Sequence, residues 1–408
     1  MTSSYFERIV FVELPGERQP VPAGLFTLDT ELGVGTFRYG RRYLERPNAI
    51  GIDPVNLPLA DYEYTTRKNG GIFGILRDVL PDSWGRYLMA KQLGLPFGTL
   101  KDNEFIDLIS TDAVGAISFG PTPERSTTKQ GTFCSLGDLA EVARGIDRAI
   151  EDRELPPEML HLLRQGTSLG GAQPKCTVMI GEEQWIAKFE SSKTAVKYPG
   201  LEFATMTMAR KAGIRVPEIR LESVEGRAIY LARRFDREHG RRLPFMSGFA
   251  LSDLDIDELE RGSYPEIANR MRRFVENVRD DHHELFRRMA FNVAVRNEDD
   301  HLRNHGFLYR QGWLLSPAYD ILPIPARRRT GDRFHLALNL GDQGALAERN
   351  NLLSQCERFS LDRKEALEIL SQIEDATRNW EAELIRAGVS PADREAVRWC
   401  FEGTKLTD

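Results

Sequence analysis

The sequence predicts an α+β protein of two lobes, with a β-rich subdomain in front and a mainly helical lobe at the C-terminal end. Three observations carry this. The chain opens with short alternating segments, RIVFVEL and FTLDTELGVGTFRYG, set between Pro and Gly turns. A second cluster of strand patterns, CTVMI, WIAKF and the two halves of GIRVPEIRLESVEGRAIYLARRFDR, lies mid-chain. From Tyr264 to Val295 the apolar residues of MRRFVENV and ELFRRMAFNVAV recur at helical spacing. At 408 residues the chain exceeds one ordinary core. Its segments are drawn at 1–120 (β-rich), 121–235 (linker, helices and a second strand region) and 236–408 (helical).

Composition sets the outer bounds. The chain is 41% hydrophobic and 28% charged, the mix of a globular protein. A net charge of −6 argues against a surface that grips nucleic acid directly, although Arg327-Arg328-Arg329 is a local basic patch. Four scattered cysteines, Cys134, Cys176, Cys356 and Cys400, show no metal spacing and fit reduced thiols. No apolar run approaches the roughly 20 residues that span a bilayer, and no signal pattern opens the chain. The reading is a soluble, cytoplasmic protein without a membrane role.

Taken in order, the N-terminal strands form a small antiparallel sheet. Asp82 and Ser83 after Pro81 cap a helix through WGRYLMAKQL. Another helix begins at Asn103, and a Gly-bearing apolar run, AVGAISFGP, follows it. The polar stretch 121–133 is an exposed boundary, with helical patterns at 136–151 and 156–165 beyond it.

The mid-chain region begins with a Gly-rich loop from Gly166 to Lys175, then strand CTVMI, a turn at Gly181-Glu182-Glu183 and strand WIAKF. Glycines let backbone N–H groups approach phosphate closely, and a tight turn explains them equally well. A Walker A loop is excluded, because no Gly-Lys-Ser/Thr follows at the required spacing. Lys188 in WIAKF has the flanking of a phosphate-binding strand lysine; its alternative is an edge lysine facing water. Glu202, read into the first turn of a helix from Gly200 to Arg210, either pairs with Lys188 or complements the helix N-terminus.

The densest signal is VRNEDDHLRNHGFLYRQGWLLSPAYD, from Val295 to Asp320. Asp299 and Asn304 stand at D-x-x-x-x-N, the spacing of a kinase catalytic loop, where the Asp takes the substrate hydroxyl proton and the Asn holds a metal. GFLY and WLL flank a turn at Arg310-Gln311-Gly312, a hairpin that returns Asp320 to Asn304. Asp300 falls one residue short of the required offset and is expected to matter much less. A solvated acidic turn is the alternative. His282 and His283 read as surface residues at a helix start. His301 and His305 are a weaker metal pair than the oxygens around them, which suit Mg²⁺.

The order of Gly-rich loop, strand lysine, helix glutamate, hinge strand, D-x-x-x-x-N, hairpin and Asp matches a two-lobed protein-kinase-like fold. The motifs SLGGAQPK (168–175), IAKF (186–189), RRFDR (233–237), NEDDHLRNHGF (297–307) and LSPAYDILP (315–323), with GIFGILRDVLPDSWGR and DLISTDAVGAISFGP in front, resemble the HipA-like serine/threonine kinases of bacterial toxin–antitoxin systems. That resemblance implies Asp299 as catalytic residue, Asn304 and Asp320 as metal ligands, and Lys188 on the phosphates. It also implies an ATP loop of Gly170, Gly171, Ala172, Gln173 and Lys175, with Arg233, Arg234 and Phe235 on the adenine side and His301 beside the nucleotide. Ser168 matches the serine that the family autophosphorylates. Pro174 stands where the family places a Glu. ATP and Mg²⁺ are the implied cofactors, and a protein of the translation machinery, such as an aminoacyl-tRNA synthetase, is the implied substrate. A helix-turn-helix antitoxin is the implied partner, through which DNA is met indirectly. A small-molecule kinase of the antibiotic phosphotransferase kind and an inactive pseudokinase are the competing readings.

Overall fold

The computed structural model describes residues 5–17, 19–131, 133–153, 155–156, 159, 163, 173–191, 194–325, 333–402 and 406. The chain divides into two compact units, neither of them one continuous stretch. The first is Met1–Lys188, Arg233–Ile256 and Leu308–Gly312; the second is Phe189–Ala232, Asp257–Phe307 and Trp313–Asp408. The units therefore cut the chain differently from boundaries drawn at 120 and 235.

The first unit opens with the antiparallel sheet that alternation predicts. Its strands β1 (Tyr5–Val12), β2 (Val21–Asp29), β3 (Val34–Tyr39), β4 (Glu63–Thr66) and β5 (Ile117–Gly120) lie in the order β4-β3-β2-β1-β5. Val10, Phe26, Phe37 and Phe119 bury one face. Gly35 allows the closest approach, since a Cβ there would run into Gly71 O. The helix Ser83–Gln92 follows its N-cap Asp82 as the sequence predicts. The next helix, Asp102–Ile106, begins one residue before Asn103, with Glu104 bonding back to the Lys101 N–H. In Leu139–Ile150, Leu139, Val142, Ala143, Ile146 and Ala149 form the buried stripe. The 156–165 pattern falls largely outside the described residues, as does the 327–329 basic patch.

Beyond these helices, β6 (Cys134–Ser135) pairs in parallel with β7 (Lys175–Ile180), and β7 pairs antiparallel with β8 (Glu183–Phe189). The β7–β8 turn lies at the predicted place, with Gly181 in the left-handed region at φ +64°.

The second unit is mainly helical. Its one long hairpin, Ile219–Val224 with Arg227–Arg233, turns through Glu225 at φ 51° and Gly226 at φ 76°. That double left-handed turn matches strand twist. The helix Val278–Ala294 is enclosed along most of its length: Leu285, Phe286, Met289, Ala290 and Phe291 are all fully buried. Arg288 on the same helix keeps 1% exposure because it pairs with Glu284 at 2.7 Å.

One helical reading and one surface reading fail here for tertiary reasons. MRRFVENV is a connection between Tyr264–Met271 and Val278–Ala294, because Val275 bridges to Trp313 and Glu276 N–H donates to Trp313 O. His282 is buried, not a surface residue; its ring bonds Ser360 Oγ at 2.9 Å and Ala268 O at 2.7 Å. Among the described residues no helix is long and apolar enough to cross a membrane.

Candidate active site

In the first unit the strand register opposes Lys175 on β7 directly to Lys188 on β8. Directly opposed residues share a face, so two ammonium groups are brought onto one side of the sheet. They keep only 5% and 6% exposure, which removes the water-facing edge reading of Lys188. Two ammonium groups on one face are the kind of donor set that phosphate oxygens accept from. Gln173 is half-buried just before β7. Ser168, Gly170, Gly171 and Ala172 lie outside the described residues.

Within RRFDR, Arg234 has a different task from lining a base. Arg234 Nε and Nη2 donate to Asp236 at 3.0 and 2.8 Å, Nη1 donates to Asp112 O at 2.6 Å, and Nη2 also to Ala113 O at 3.2 Å. Its side chain has 0% exposure, so it has no surface to offer a nucleotide. Arg237 donates to Asp236, Gln184 Oε1, Thr111 O and Ala113 O, and Gly115 N–H donates to Asp236 at 2.9 Å. Phe235 packs on Leu243, Phe245 and Leu308, while Arg233 pairs with Glu183. Burial alone would push the Asp236 carboxyl up. The charges of Arg234 and Arg237 overcome that, with hydrogen bonds from Arg234 and Gly115, and hold it well below the usual carboxylate range. RRFDR is thus a buried ion clasp on the 111–115 segment, which is why residues from Arg233 onward belong to the first unit.

In the second unit the D-x-x-x-x-N loop and Asp320 come together. After the helix Val278–Ala294, Arg296 turns left-handed at φ 50° and releases Asn297 to Asp299 from the helix. Asn304 Nδ2 donates to Asp299 O at 3.1 Å, closing the loop on itself through the amide nitrogen rather than Oδ1. Strands Gly306–Tyr309 and Trp313–Leu315 flank the predicted turn, and Ser316 N–H donates to Gly306 O at 2.8 Å at their base. Asp320 follows, itself left-handed at φ 56°, with its carbonyl accepting from Asn297 Nδ2 at 3.2 Å. Asp299 is exposed at the surface of its loop, and partial desolvation by its surroundings raises its carboxyl above the ordinary value. The charges of Asp320 and Asp300 add to the rise and His301 opposes it.

Glu202 lies in the same unit, in the helix Tyr198–Lys211. The helix starts two residues earlier than read, so Glu202 sits past the first turn and is 1% exposed. That position weakens its alternative role at the helix N-terminus. Burial and the charges of Glu202 and Asp320 push the Tyr230 hydroxyl well up, which sets both carboxylates near one ring.

Sequence reading missed a buried polar chain beside these loops. Tyr264 Oη donates to Asp300 Oδ2, Asn292 Nδ2 donates to Tyr264 Oη at 3.0 Å, and Asn297 Nδ2 donates to Asn292 Oδ1 at 3.0 Å. The available signal was Asn292, a lone amide inside the apolar MAFNVAV. Among the described residues no group of three or more His, Cys, Asp or Glu could hold a metal. One carboxylate and one amide oxygen, completed by phosphate oxygens and water, is a donor set that suits Mg²⁺.

The HipA-like C-terminal domain family matches residues 167–380, and the HipA N-terminal domain family matches residues 19–120. A protein of Sinorhizobium fredii, provisionally named a kinase, is 24% identical over 80% of this chain and 80% of its own. A similarly named protein of Haemophilus influenzae is 29% identical over 40% of this chain, which spans 54% of that relative's length. A solved structure from Shewanella oneidensis, titled as the HipA, HipB and operator DNA complex of a toxin–antitoxin system, overlays with a TM-score of 0.69. It covers 96% of each chain at 18% identity, a likeness of fold.

Proposed function

This chain belongs to the HipA family, and on that premise we propose that it is an ATP- and Mg²⁺-dependent serine/threonine protein kinase. The observation that carries the proposal is the meeting of Asp299, Asn304 and Asp320 in the order that phosphoryl transfer uses. Asp299, its carboxyl raised by partial desolvation, orients the substrate hydroxyl and accepts its proton. Asn304 Oδ1 and the Asp320 carboxylate hold metal. Magnesium, when bound, draws charge from the phosphoryl oxygens. Lys175 and Lys188 serve the phosphates, with Gly170, Gly171, Ala172, Gln173 and His301 as further nucleotide contacts. Ser168 is the proposed autophosphorylation site; a phosphate there adds about −1.5 to −2 charges beside the ATP loop and weakens nucleotide binding. The Shewanella structure contains HipB and operator DNA. By analogy, a helix-turn-helix antitoxin is the proposed partner here and carries the DNA contact. We place the work of the kinase in the cytoplasm, on a component of translation.

The test is incubation with Mg-ATP and host lysate, followed by phosphosite mapping, with Asp299→Asn as control. New phosphoserine or phosphothreonine on a host protein, absent with the variant, supports the proposal. Transfer only to small molecules would move it to the phosphotransferases. ATP binding without any transfer would make the chain a pseudokinase.

A further inference from the structure

We propose that Tyr264, Asn292, Asn297 and Asp300 form a positioning relay that holds the two acidic loops of the site in register. The proposal deepens the kinase reading and rests on it. The four side chains run as one line of hydrogen bonds. Asp300 accepts from Tyr264 Oη, Tyr264 Oη accepts from Asn292 Nδ2, and Asn297 Nδ2 donates both to Asn292 Oδ1 and to Asp320 O. One end of the line is the residue next to Asp299, and the other end is the backbone of Asp320. All four residues keep 1% exposure or less, so water does not loosen the bonds. Burial and the neighbouring Asp300 charge push the Tyr264 hydroxyl well above its usual value, which keeps it a proton donor.

The surroundings brace the same line. His305 Nε2 lies 3.1 Å from Asp300 Oδ1, outside hydrogen-bond alignment, and its ring meets Tyr264 edge-on at 4.9 Å. Both loops carry a non-glycine residue in the left-handed region, Arg296 at φ 50° and Asp320 at φ 56°. Such backbone persists where its surroundings over-determine it. Arg296 is stacked between Phe334 at 4.2 Å and Trp399 at 4.6 Å. Asp320 has the Asn297 bond. Asp299 thus stands on a loop whose buried neighbour, Asp300, is the anchor. This changes the weight of Asp300, which spacing alone set aside.

The experiment compares the parent chain with Tyr264→Phe and Asn297→Ala in steady-state phosphoryl transfer, corrected for folded fraction. Tyr264→Phe is expected to lower kcat by about 10- to 100-fold while KM for ATP stays within about twofold, as misplacement of a reacting group does. Asn297→Ala, which frees Asp320, should also raise the Mg²⁺ concentration needed for half-maximal rate. A purely structural role would lower the melting temperature and leave kcat per folded molecule within about twofold of the parent; that result overturns the relay. Where Tyr264→Phe does not fold, the isosteric Asp300→Asn takes its place under the same criterion. Deuterium uptake over 297–305 and 318–322 gives a readout independent of activity. If the parent transfers no phosphate, the kinase reading fails by itself, and faster exchange in both segments of the variant still supports the relay. Unchanged exchange there removes it.

Discussion

The clasp of Arg234, Asp236 and Arg237 and the acidic loops around Asp299 and Asp320 are both dense in charge, yet the clasp is buried while the loops reach water at Asp299, and they are built on opposite terms. In the clasp each charge meets an opposite one or a backbone carbonyl, and the Asp236 carboxyl is held well below its usual range. In the loops carboxylates face one another, and Asp299 is raised instead. The first arrangement gives its charges hydrogen-bond partners within the fold, although burial and the neighbouring Arg234 lower the Arg237 guanidinium to about 9. In the second, the like charges of Asp320 and Asp300 raise Asp299, which suits the proton and cation that the proposed function would bring there. Sign and balance, not the amount of charge, separate scaffold from chemistry in this molecule.

The sharpest way to break the comparison is to neutralise one aspartate in each region. Asp299→Asn should lower kcat by about 10²- to 10⁴-fold, the usual range for a positioned base. Because partial desolvation opposes its ionisation in the folded chain, the melting temperature should hold or rise slightly. A rate near the parent's would remove Asp299 from the chemistry. Asp236→Asn should do the reverse. It leaves Arg234 and Arg237 buried without their counter-charge and destabilises by about 3–5 kcal/mol. Denaturant unfolding measures the loss, and kcat per folded molecule should change little.

Acid separates the two regions more gently. Asp236 has a folded pKa below its unfolded one, so its contribution is present above the ordinary carboxylate range and is lost as pH falls through it. Roughly 2–3 kcal/mol should disappear progressively below about pH 5, and Asp236→Asn should flatten that slope. The raised Asp299 moves the acid limb of kcat/KM above the ordinary carboxylate value of about 3.9. The smallest effect is expected for Asp320→Ala. Its Mg²⁺-dependent affinity for ATP should fall by on the order of tenfold, about 1.4 kcal/mol, with metal-free ATP binding unchanged. Calorimetric titration with and without Mg²⁺ checks it; parent-like binding of Mg-ATP would end the metal role of Asp320.

What was legible in the sequence follows the same division. Asp299, Asn304, the hairpin and Asp320 lie within one stretch, so spacing and turn chemistry suffice to bring them together. Lys188 was legible by its strand, and the register with Lys175 follows from the short turn at Gly181. The clasp was not, because Arg234 finds Asp112 O across 122 residues and no local pattern announces that partner. The same holds for His282, whose ring bonds Ser360 Oγ 78 residues on. Glu202 was placed one turn too early because Tyr198 and Pro199 already belong to its helix. Pro is at home there in a first turn.

The pairing of Lys175 with Lys188 across β7 and β8 has a thermodynamic corollary. The two positions are opposed only in the folded sheet, so an anion that bridges them, as proposed for nucleotide phosphate, binds the folded chain and not the unfolded one. Linkage then turns nucleotide concentration into heat resistance: at a ligand excess of about a hundred times Kd, the folded state gains about 2.7 kcal/mol. The first unit should therefore melt at a temperature that follows the supply of ATP, and Lys175→Met should make that melting temperature nearly indifferent to it.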